Sequence, residues 1–342
     1  MTIGILIGAG SVGKHHAKVL ANRYEKTVVV DPSETVQTWL EDQLPGKCLF
    51  FHSISDALTS LRDEVADVTA VISHLAPDHH QAFMVLADAG IKRIVCEKPL
   101  SDSLYLGKAM VDRAEQDGIR LTVGFQRRFL NTANTINSVA TTELGGNPSA
   151  LVIHGGAKCL VTYGSHFVDL AIEIFGSSPK RVAGFGGTQR INPRGRDLDY
   201  WEGSLTWEFS DNRYLSMTFT NQSSVQAEGV LYAPHGVMHV YPDGRVTMSK
   251  RDISEIEKDS RVTRVGVCKD APVEVIPSFS PSELHVILNE VEGNGKLSYS
   301  GEQITSSLEA SLGGLIAAET GQAVYFPIAE SHSQYQKSWN VT

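Results

Sequence analysis

Short β-branched apolar runs alternate with segments of helical period from residue 3 to about residue 123 of this 342-residue chain. Such alternation is typical of a parallel sheet covered by helices, because its strands are buried on both faces. The pattern predicts strands at Ile3–Ile7, Thr27–Val30, Cys48–Phe51, Val68–Ile72, Arg93–Cys96 and Arg120–Val123. It predicts helices near Ser11–Arg23, Ser33–Leu40, Ile54–Leu61, Asp78–Ala89 and Ser101–Asp117, the last closed by Gly118. We therefore predict an α/β domain with a doubly wound parallel sheet over residues 1–124.

The pattern changes after Phe125, where one helical stretch to about Val139 leads into strands separated by turn signals. Apolar residues occupy only one face of these strands, which is typical of an antiparallel sheet with one covered face. The predicted strands are Leu151–Ile153, Ser204–Phe209, Tyr214–Thr220, Val225–Leu231 and Ala323–Phe326, and the predicted helices are Ser282–Val291 and Glu302–Thr320. The chain also exceeds the roughly 250–300 residues that one core serves. We expect a second, α+β domain over residues 125–342, built on a large, mostly antiparallel open sheet.

The formal net charge of −9 argues against a general nucleic-acid or anionic-membrane partner, since both present polyanionic surfaces. No apolar run reaches the ~18 residues of a transmembrane helix, and Met1 leads into an apolar strand without a signal-peptide pattern. The cysteines have no metal-ligand spacing, which predicts neither disulfides nor a metal site. They are Cys48, Cys96, Cys159 and Cys268. We expect a cytoplasmic protein without nucleic-acid or membrane partners.

The first predicted strand and the first predicted helix are joined by the glycine-rich hexapeptide Gly8-Ala9-Gly10-Ser11-Val12-Gly13. Gly8 permits a tight turn, Gly10 lets the backbone approach a pyrophosphate, and Gly13 allows close packing of the helix. The helix N-terminus adds free N–H groups and a positive dipole end. A purely structural turn is the alternative. The place of the hexapeptide in a strand–helix–strand unit favours a dinucleotide-binding site of the Rossmann type.

Asp31 ends the second predicted strand, close to the offset of ~20 residues expected for an acid that binds ribose hydroxyls. Its carboxylate can accept hydrogen bonds from both hydroxyls, whereas it would repel a 2′-phosphate. The following Pro32-Ser33-Glu34 includes no arginine to receive that phosphate. A helix N-cap is the other role open to Asp31. We expect NAD rather than NADP as the cofactor.

Lys98 follows the fifth predicted strand in the sequence Glu97-Lys98-Pro99, at the sheet edge where open α/β folds bind their ligands. A lysine there can hydrogen-bond a reacting hydroxyl or carbonyl group, and a solvated surface lysine is the alternative. The loop after the fourth strand should border the same cofactor, and we assign Ser73, His74 and His79 to it. We do not favour a metal site built from the histidines of this loop, because no carboxylate or cysteine completes a ligand set.

These motifs, in this order, resemble the Gfo/Idh/MocA family of sugar and cyclitol dehydrogenases, in which a glycine-rich turn and an acid precede Glu-Lys-Pro. Three further segments resemble family motifs in order and spacing. They are Gly124-Phe125-Gln126-Arg127-Arg128-Phe129, Gly164-Ser165-His166-Phe167-Val168-Asp169-Leu170, and Glu309 to Phe326. The resemblance covers nearly the whole chain. We include Glu97 and Gln126 among the expected cofactor-binding residues.

The resemblance implies that Lys98 and His166 flank the substrate, with His166 taking or giving the hydroxyl proton. An imidazole with an ordinary pKa of about 6.5 suits that work at neutral pH. Asp169, one helical turn further on, is either an orienting partner of His166 or a buried structural carboxylate. Many family members have an aspartate where this chain has Thr162, which cannot act as a carboxylate partner. The hydroxyl of Tyr163 is a further candidate for support.

Basic residues near the motif histidine bear on the substrate. We place Arg127, Arg128 and Lys158 near an anionic substrate, with ordinary surface charges as the alternative. The sequence around His166 also resembles relatives of cell-surface sugar biosynthesis, which act on activated or acidic sugars. The expected substrate-binding residues are Lys98, Arg127, Lys158 and His166.

The expected activity is NAD(H)-dependent transfer of hydride between the nicotinamide and a hydroxyl or keto group of a sugar, cyclitol or activated sugar derivative. Two alternatives stay open: an NAD-dependent glycosidase that oxidises its substrate transiently, and a non-catalytic NAD-binding regulator of the same fold. Family members commonly associate through the sheet of the second domain. The resemblance therefore implies a homodimer or homotetramer.

Overall fold

A computed structural model describes residues 2–156, 159–187, 198, 201–252, 254, 268, 271–278 and 284–341. The chain forms two compact units. The first comprises Met1–Gln126, Pro281–Leu308 and Tyr335–Thr342, and the second comprises Arg127–Ser280 and Glu309–Gln334. The boundary after residue 126 lies beside the predicted split at residue 124. The structure differs from the predicted 125–342 domain in that two C-terminal segments pack with the first unit.

The first unit contains a six-stranded parallel sheet. Its strands are β1 (Ile3–Ile7), β2 (Lys26–Val30), β3 (Cys48–Phe51), β4 (Val68–Ile72), β5 (Arg93–Cys96) and β6 (Arg120–Val123). They lie in the order β3-β2-β1-β4-β5-β6, which is that of a doubly wound dinucleotide-binding fold. The strand order reverses between β1 and β4, and such sheets bind ligands there, beyond the carboxyl ends of the strands. The predicted parallel sheet is confirmed.

Helices follow the sequence pattern closely. They are α1 (Ser11–Arg23), α2 (Glu34–Gln43), α3 (Ile54–Leu61), α4 (Ala76–Asp88), α5 (Leu104–Gln116), α6 (Gln126–Phe129), α7 (Thr132–Glu143), α8 (Ser165–Phe175), α9 (Leu284–Glu292) and α10 (Glu302–Thr320). Helix α4 begins two residues before the predicted start, with Pro77 in its first turn, where the missing N–H is not needed. Within the described ranges, no helix is long and apolar enough to cross a membrane.

The second unit contains a nine-stranded sheet in the order β14-β13-β12-β11-β7-β10-β9-β8-β15. Neighbouring strands are antiparallel except for the parallel pair β7 and β10. The strands are β7 (Ala150–Gly155), β8 (Arg181–Gly186), β9 (Gly203–Glu208), β10 (Tyr214–Phe219), β11 (Glu228–Ala233), β12 (Gly236–Val240), β13 (Val246–Lys250), β14 (Val273–Ile276) and β15 (Val324–Tyr325). The predicted large, mostly antiparallel sheet is confirmed, and the sequence reading missed β8, β12, β13 and β14.

One face of this sheet is covered and the other is partly polar. Trp207 is 1% exposed on the covered face, and its indole N–H donates to the carbonyl oxygen of Ala310 on α10 at 2.9 Å. On the opposite face, the hydroxyls of Ser204 and Thr218 lie 2.9 Å apart across β9 and β10. This arrangement matches the predicted alternation of apolar and polar positions.

The C-terminal segments of the first unit attach to the edge of its sheet. Helix α9 packs against β5 and β6. The guanidinium of Arg120 donates to the carbonyl oxygens of Glu290 and Val291, each at 2.8 Å. Trp339, 1% exposed, donates its backbone N–H to the carbonyl oxygen of Asp102 at 2.9 Å. The association therefore satisfies polar groups of the sheet edge and buries a large aromatic ring.

Helix α8 has two acidic side chains of different character, one buried and one half-buried. Asp169 accepts from Nε of Arg128 at 2.9 Å on both oxygens, and the two side chains are 2% and 7% exposed. Glu173 lies one turn further along α8, and burial raises its pKa to about 7, although Arg128 acts in the opposite direction. Asp169 is therefore held as an ion pair, whereas the Glu173 carboxyl group keeps its proton up to near-neutral pH.

We predict that Glu173 makes the free energy of unfolding fall as the pH rises from about 4.5 to about 7. In that window the folded state keeps a proton that the unfolded state releases, with a slope of at most about 1.4 kcal/mol per pH unit. Glu173→Gln should remove this part of the pH dependence and should be more stable than the parent above pH 7. Urea unfolding from pH 5 to pH 8 measures the effect.

The matched control is Glu228→Gln, which changes an exposed carboxylate on β11. It should reproduce the pH dependence of the parent. Equal slopes for the parent and Glu173→Gln would contradict the prediction.

Candidate functional site

The glycine-rich turn between β1 and α1 has the geometry of a phosphate cradle. Gly8 has φ of +88°, and a Cβ there would lie 2.7 Å from the backbone nitrogen of His74. A Cβ on Gly13 would lie 2.9 Å from Oγ of Ser73 and would collide with the carbonyl oxygen of Gly8. A Cβ on Gly10 would have no neighbour within 4 Å. The two outer glycines thus permit close packing, while Gly10 leaves open space for a ligand above the N-terminus of α1.

Asp31 is bound to the same turn. Its Oδ2 accepts the backbone N–H of Ala9 at 2.8 Å, and its Oδ1 accepts that of Ser33 at 2.9 Å. The N-cap of α2 is Ser33, so Asp31 lies before the helix and does not have the N-cap role that the sequence left open. Each carboxylate oxygen has more than one acceptor position. Asp31 can therefore hold the turn and still accept hydrogen bonds from ribose hydroxyls.

The loop after β4 closes on the turn after β1. Oγ of Ser73 donates to the carbonyl oxygen of Gly8 at 2.6 Å. His79 is 1% exposed, and its Nδ1 and Nε2 lie 3.0 Å from the carbonyl oxygen of Pro99 and 3.1 Å from that of His74. Burial and, to a smaller extent, the nearby His74 lower the pKa of His79 to about 4. His79 is thus a neutral ring between the loops that follow β4 and β5.

His74 is half-buried in that loop, and burial lowers its pKa as well. Its ring stacks on His79 with 5.4 Å between centroids. Among the described residues, no three histidine, cysteine, aspartate or glutamate side chains form a group that could hold a metal ion. The assignment of Ser73, His74 and His79 to the cofactor stays a prediction, with His79 enclosed behind His74.

The Glu97-Lys98-Pro99 loop follows β5 at the same sheet edge. Oε1 of Glu97 lies 2.8 Å from Nε2 of His16 on α1, and its Oε2 accepts the backbone N–H of Lys98 at 3.2 Å. Burial disfavours the Glu97 carboxylate, but the hydrogen bond from His16 and the charges of His16 and Lys98 outweigh it and lower the pKa of Glu97. Both carboxylate oxygens of Glu97 are therefore hydrogen-bonded to groups of the protein. The sequence reading missed His16, which follows the glycine-rich turn by three residues.

In the second unit, His166 lies in the first turn of α8, next to an aromatic cluster. The Tyr163 ring meets the imidazole edge-on with 6.0 Å between centroids, and it also contacts the rings of Phe167 and Phe219. The backbone N–H of His166 donates to the carbonyl oxygen of Tyr163 at 3.2 Å. Thr162 is 9% exposed in the preceding turn. The structure therefore brings Thr162, Tyr163 and His166 together.

Arg127 is not a surface charge. It is 7% exposed, its guanidinium lies 5.5 Å from the centre of the Phe167 ring, and it hydrogen-bonds the side chain of Tyr163. Burial lowers the pKa of Arg127, and it raises the pKa of Tyr163 against the effect of the guanidinium. The sequence alternative of exposed charges is therefore wrong for Arg127, and equally for Arg128, which is paired with Asp169.

The remaining predicted site residues are distributed as follows. Asp169 is held by Arg128, as expected for a structural carboxylate, and an orienting role toward His166 stays a prediction. Gln126 is half-buried at the start of α6. Lys158 lies outside the described residues. The first unit thus offers a phosphate cradle, an acid and a lysine at one sheet edge, and the second offers a histidine supported by a tyrosine.

Comparison with known proteins finds relatives of the domain that contains the first of these two sites. Residues 2–125 match the GFO_IDH_MocA model, described as an oxidoreductase family with an NAD-binding Rossmann fold. An inositol 2-dehydrogenase from Acidothermus cellulolyticus is 34% identical over 132 residues, which is 36% of this chain and 36% of that protein. An uncharacterized oxidoreductase of Bacillus subtilis, YrbE, is 26% identical over 77% of this chain and 75% of its own length.

A solved structure extends the likeness in fold to both units. The WlbA dehydrogenase from Bordetella pertussis, crystallised with NADH and UDP-GlcNAcA, aligns with a TM-score of 0.69 over 96% of this chain and 100% of its own. Its sequence identity is 19%, so this likeness concerns the fold alone. The family model covers only the dinucleotide-binding domain. Residues 2–125 are therefore similar to the NAD-binding domain of the GFO_IDH_MocA oxidoreductase family.

Proposed function

We propose that this protein is an NAD(H)-dependent dehydrogenase or reductase that acts on a hydroxyl or keto group of a sugar, cyclitol or activated sugar derivative. One observation carries the proposal: the phosphate cradle at Gly10, the expected ribose-binding acid Asp31 and Lys98 follow the carboxyl ends of β1, β2 and β5 in one parallel sheet. The relatives named above support the substrate class, since one is an inositol dehydrogenase and another was crystallised with a nucleotide sugar.

The residues of the first unit fit NAD(H) as the cofactor. The residues that would hold it are the glycine-rich turn, Asp31 and the loops after β4 and β5. NAD(H) bound there supplies the acceptor or donor of the hydride. The open space at Gly10 and the accessible lone pairs of Asp31 are the observations that favour this fit.

Lys98 and His166 have complementary roles in this proposal. The ammonium of Lys98 donates a hydrogen bond to the reacting oxygen and stabilises negative charge that develops on it. His166 removes the proton of the hydroxyl group during oxidation, or returns it during reduction. Arg127 and Lys158 are proposed to bind an anionic part of the substrate.

Thr162 occupies the position of the aspartate that many family members have, so the support for His166 must differ. The contacts of Tyr163 favour this residue as that support, because its ring lies against the imidazole and its side chain hydrogen-bonds Arg127. The histidine thus lies beside a phenol that itself interacts with a guanidinium.

The named dehydrogenase relatives favour net oxidation or reduction over the transient redox of a glycosidase or a regulator without catalysis. The first test is absorbance at 340 nm with NAD⁺ and a panel of inositols, hexoses, uronic acids and UDP-sugars. A steady increase with one of these substrates supports the proposal. NAD⁺ binding without turnover of any panel member, or of the corresponding ketones with NADH, would count for the regulator.

We further propose a cytoplasmic homodimer or homotetramer. Exposed aromatic residues on the uncovered face of the second sheet support self-association: Phe185 is 67% and Tyr232 is 47% exposed. Light scattering after gel filtration measures the assembly. A monomer at micromolar concentration would contradict this part of the proposal.

The cofactor preference gives a quantitative prediction. NAD(H) should bind at least about tenfold more tightly than NADP(H), a difference of ~1.4 kcal/mol, because Asp31 repels the 2′-phosphate. Asp31→Ala should reduce the preference mainly by weakening NAD binding, since it also removes the acceptor of the Ala9 N–H. Calorimetric titration with both cofactors measures the preference.

Asp31→Asn is the matched variant for this prediction, because it removes the charge and keeps an acceptor for the turn. It should lose discrimination against NADP(H) with less damage to NAD binding than Asp31→Ala. Equal affinities of the parent for NAD(H) and NADP(H) would overturn the assignment of Asp31.

The catalytic assignment predicts different losses for three variants. His166→Ala should lower kcat by roughly 10² to 10⁴ with NAD affinity nearly unchanged, the range for loss of a positioned proton transfer. Lys98→Met should lower kcat to a similar extent, because it removes the charge and keeps the bulk. Thr162→Ala should cost far less, on the order of 1 kcal/mol, as expected for one neutral hydrogen bond.

Single-turnover hydride transfer on the substrate found in the panel separates chemistry from product release in these variants. Activity of His166→Ala equal to that of the parent would assign a structural role to the histidine. A larger loss in Thr162→Ala than in His166→Ala would do the same, and Tyr163 or Lys98 would then be the next candidates for the proton transfer.

A further inference from the structure

His79 is a buried ring whose two nitrogens face carbonyl oxygens of two different loops within the first unit. Its Nδ1 lies 3.0 Å from the carbonyl oxygen of Pro99 and 3.3 Å from that of Leu100, in the loop after β5. Its Nε2 lies 3.1 Å from the carbonyl oxygen of His74, in the loop after β4. Because His79 is only 1% exposed, groups of the protein have to satisfy the ring.

A neutral imidazole cannot donate to both loops at once. Burial lowers the pKa of His79 to about 4, so the ring carries a single N–H at neutral pH. One nitrogen then donates and the other presents a lone pair. Since a carbonyl oxygen only accepts, one loop is hydrogen-bonded to the ring and the other meets its lone pair.

The three distances favour the tautomer that has its hydrogen on Nδ1. That hydrogen donates to the carbonyl oxygen of Pro99, with Leu100 as a second acceptor. Only one contact between a lone pair and a carbonyl oxygen then remains, at His74. With the hydrogen on Nε2, the Nδ1 lone pair would meet two carbonyl oxygens, the closer one at 3.0 Å. The ring therefore binds the loop after β5.

This hydrogen bond holds the backbone next to Lys98. Pro99 directly follows Lys98 in the chain, and His79 is the fourth residue of α4. Helices place functional groups more precisely than loops do. The loop after β4 has its own attachment, because Oγ of Ser73 donates to the carbonyl oxygen of Gly8 at 2.6 Å. The imidazole thus links α4 to the lysine loop.

We propose, resting on the function proposed above, that His79 is a positioning residue whose Nδ1–H ties the backbone after Lys98 to α4. The ring acts through the carbonyl oxygens of Pro99 and Leu100, and it transfers no proton. Its loss should let the lysine loop move and so displace Lys98 from the reacting oxygen. NAD binding should change little, because the loop after β4 keeps its contact with Gly8.

The tautomer is measured on the full chain without NAD or substrate. Long-range ¹H–¹⁵N spectra of protein labelled with ¹⁵N-histidine show, at neutral pH, which ring nitrogen carries the hydrogen. The chain has 12 histidines, and the signals of His79 are those that disappear in His79→Asn or His79→Gln. We expect a protonated Nδ1 and an unprotonated Nε2. A hydrogen on Nε2, in either the neutral or the cationic ring, would overturn the proposal.

Asparagine and glutamine variants test the link itself. The amide nitrogen of asparagine lies as many bonds from the backbone as Nδ1, and that of glutamine as many as Nε2. His79→Asn therefore keeps a donor for Pro99, whereas His79→Gln moves the donor toward His74. Amide hydrogen exchange of the peptide 97–104 should be about three- to tenfold faster in His79→Gln than in the parent, as expected for loss of one neutral hydrogen bond. His79→Asn should stay closer to the parent, although glutamine is nearer to histidine in size.

Two controls separate this link from a general effect on stability. The peptide that covers β1 should exchange at the parental rate in every variant. Gln81→Ala, a change of an exposed residue on α4, should leave the exchange of 97–104 unchanged.

Once a substrate is known, kinetics give a further readout. His79→Gln should lower kcat by about ten- to a hundredfold, the range for a misplaced catalytic group, while the Kd of NAD stays within about twofold of the parent. His79→Asn should restore most of the lost kcat.

Equal exchange of 97–104 in the two variants would overturn the proposal, and so would faster exchange in His79→Asn than in His79→Gln. If one variant does not fold, the tautomer and the other variant decide: His79→Asn must stay near the parent, or His79→Gln must be faster. The spectra and the exchange measurements need neither NAD nor substrate. Failure of the dehydrogenase assay and failure of this inference are therefore distinguishable.

Discussion

The close approach of two loops determines the geometry of the cofactor edge. The parallel pairing of β1 with β4 brings the turn after β1 against the loop after β4. This approach requires a residue without a side chain at Gly8, where any Cβ would meet His74, and Ser73 then closes the contact through a 2.6 Å hydrogen bond. Asp31 fixes the turn from the other side through Ala9. The geometry of the ligand-binding edge thus depends on backbone packing and on the carboxylate of Asp31.

Two neighbouring arginines of the second unit, Arg127 and Arg128, are engaged by protein groups. Arg128 is committed to Asp169, and Arg127 to Tyr163 and the face of Phe167. Burying a guanidinium is costly unless hydrogen bonds and a polarisable ring compensate it. These contacts connect both arginines to α8 and its preceding turn, where His166 lies.

The sequence predicted the first sheet strand by strand, because fully buried parallel strands are short apolar runs that contrast with amphipathic helices. It predicted the second sheet less completely. Strand β8 contains Gly184 and Gly186, and glycine weakens the strand signal. The sequence also identified the glycine-rich turn, because the spacing of its glycines matches the needs of a tight turn, of an approaching pyrophosphate and of close helix packing. The hydrogen bond between His16 and Glu97 could not be predicted from the sequence, because the two residues are far apart in the chain and only the fold makes them neighbours.

The first unit is built from segments that lie far apart in the chain, and this affects the order of folding during synthesis. Helix α9 and the segment around Trp339 belong to the same compact unit as β1, although hundreds of residues separate them along the chain. During synthesis, domains generally fold in the order in which they leave the ribosome. Here the dinucleotide-binding unit is still incomplete when the whole second unit has emerged. The second unit can therefore complete its folding before the segment around Trp339 joins the first unit.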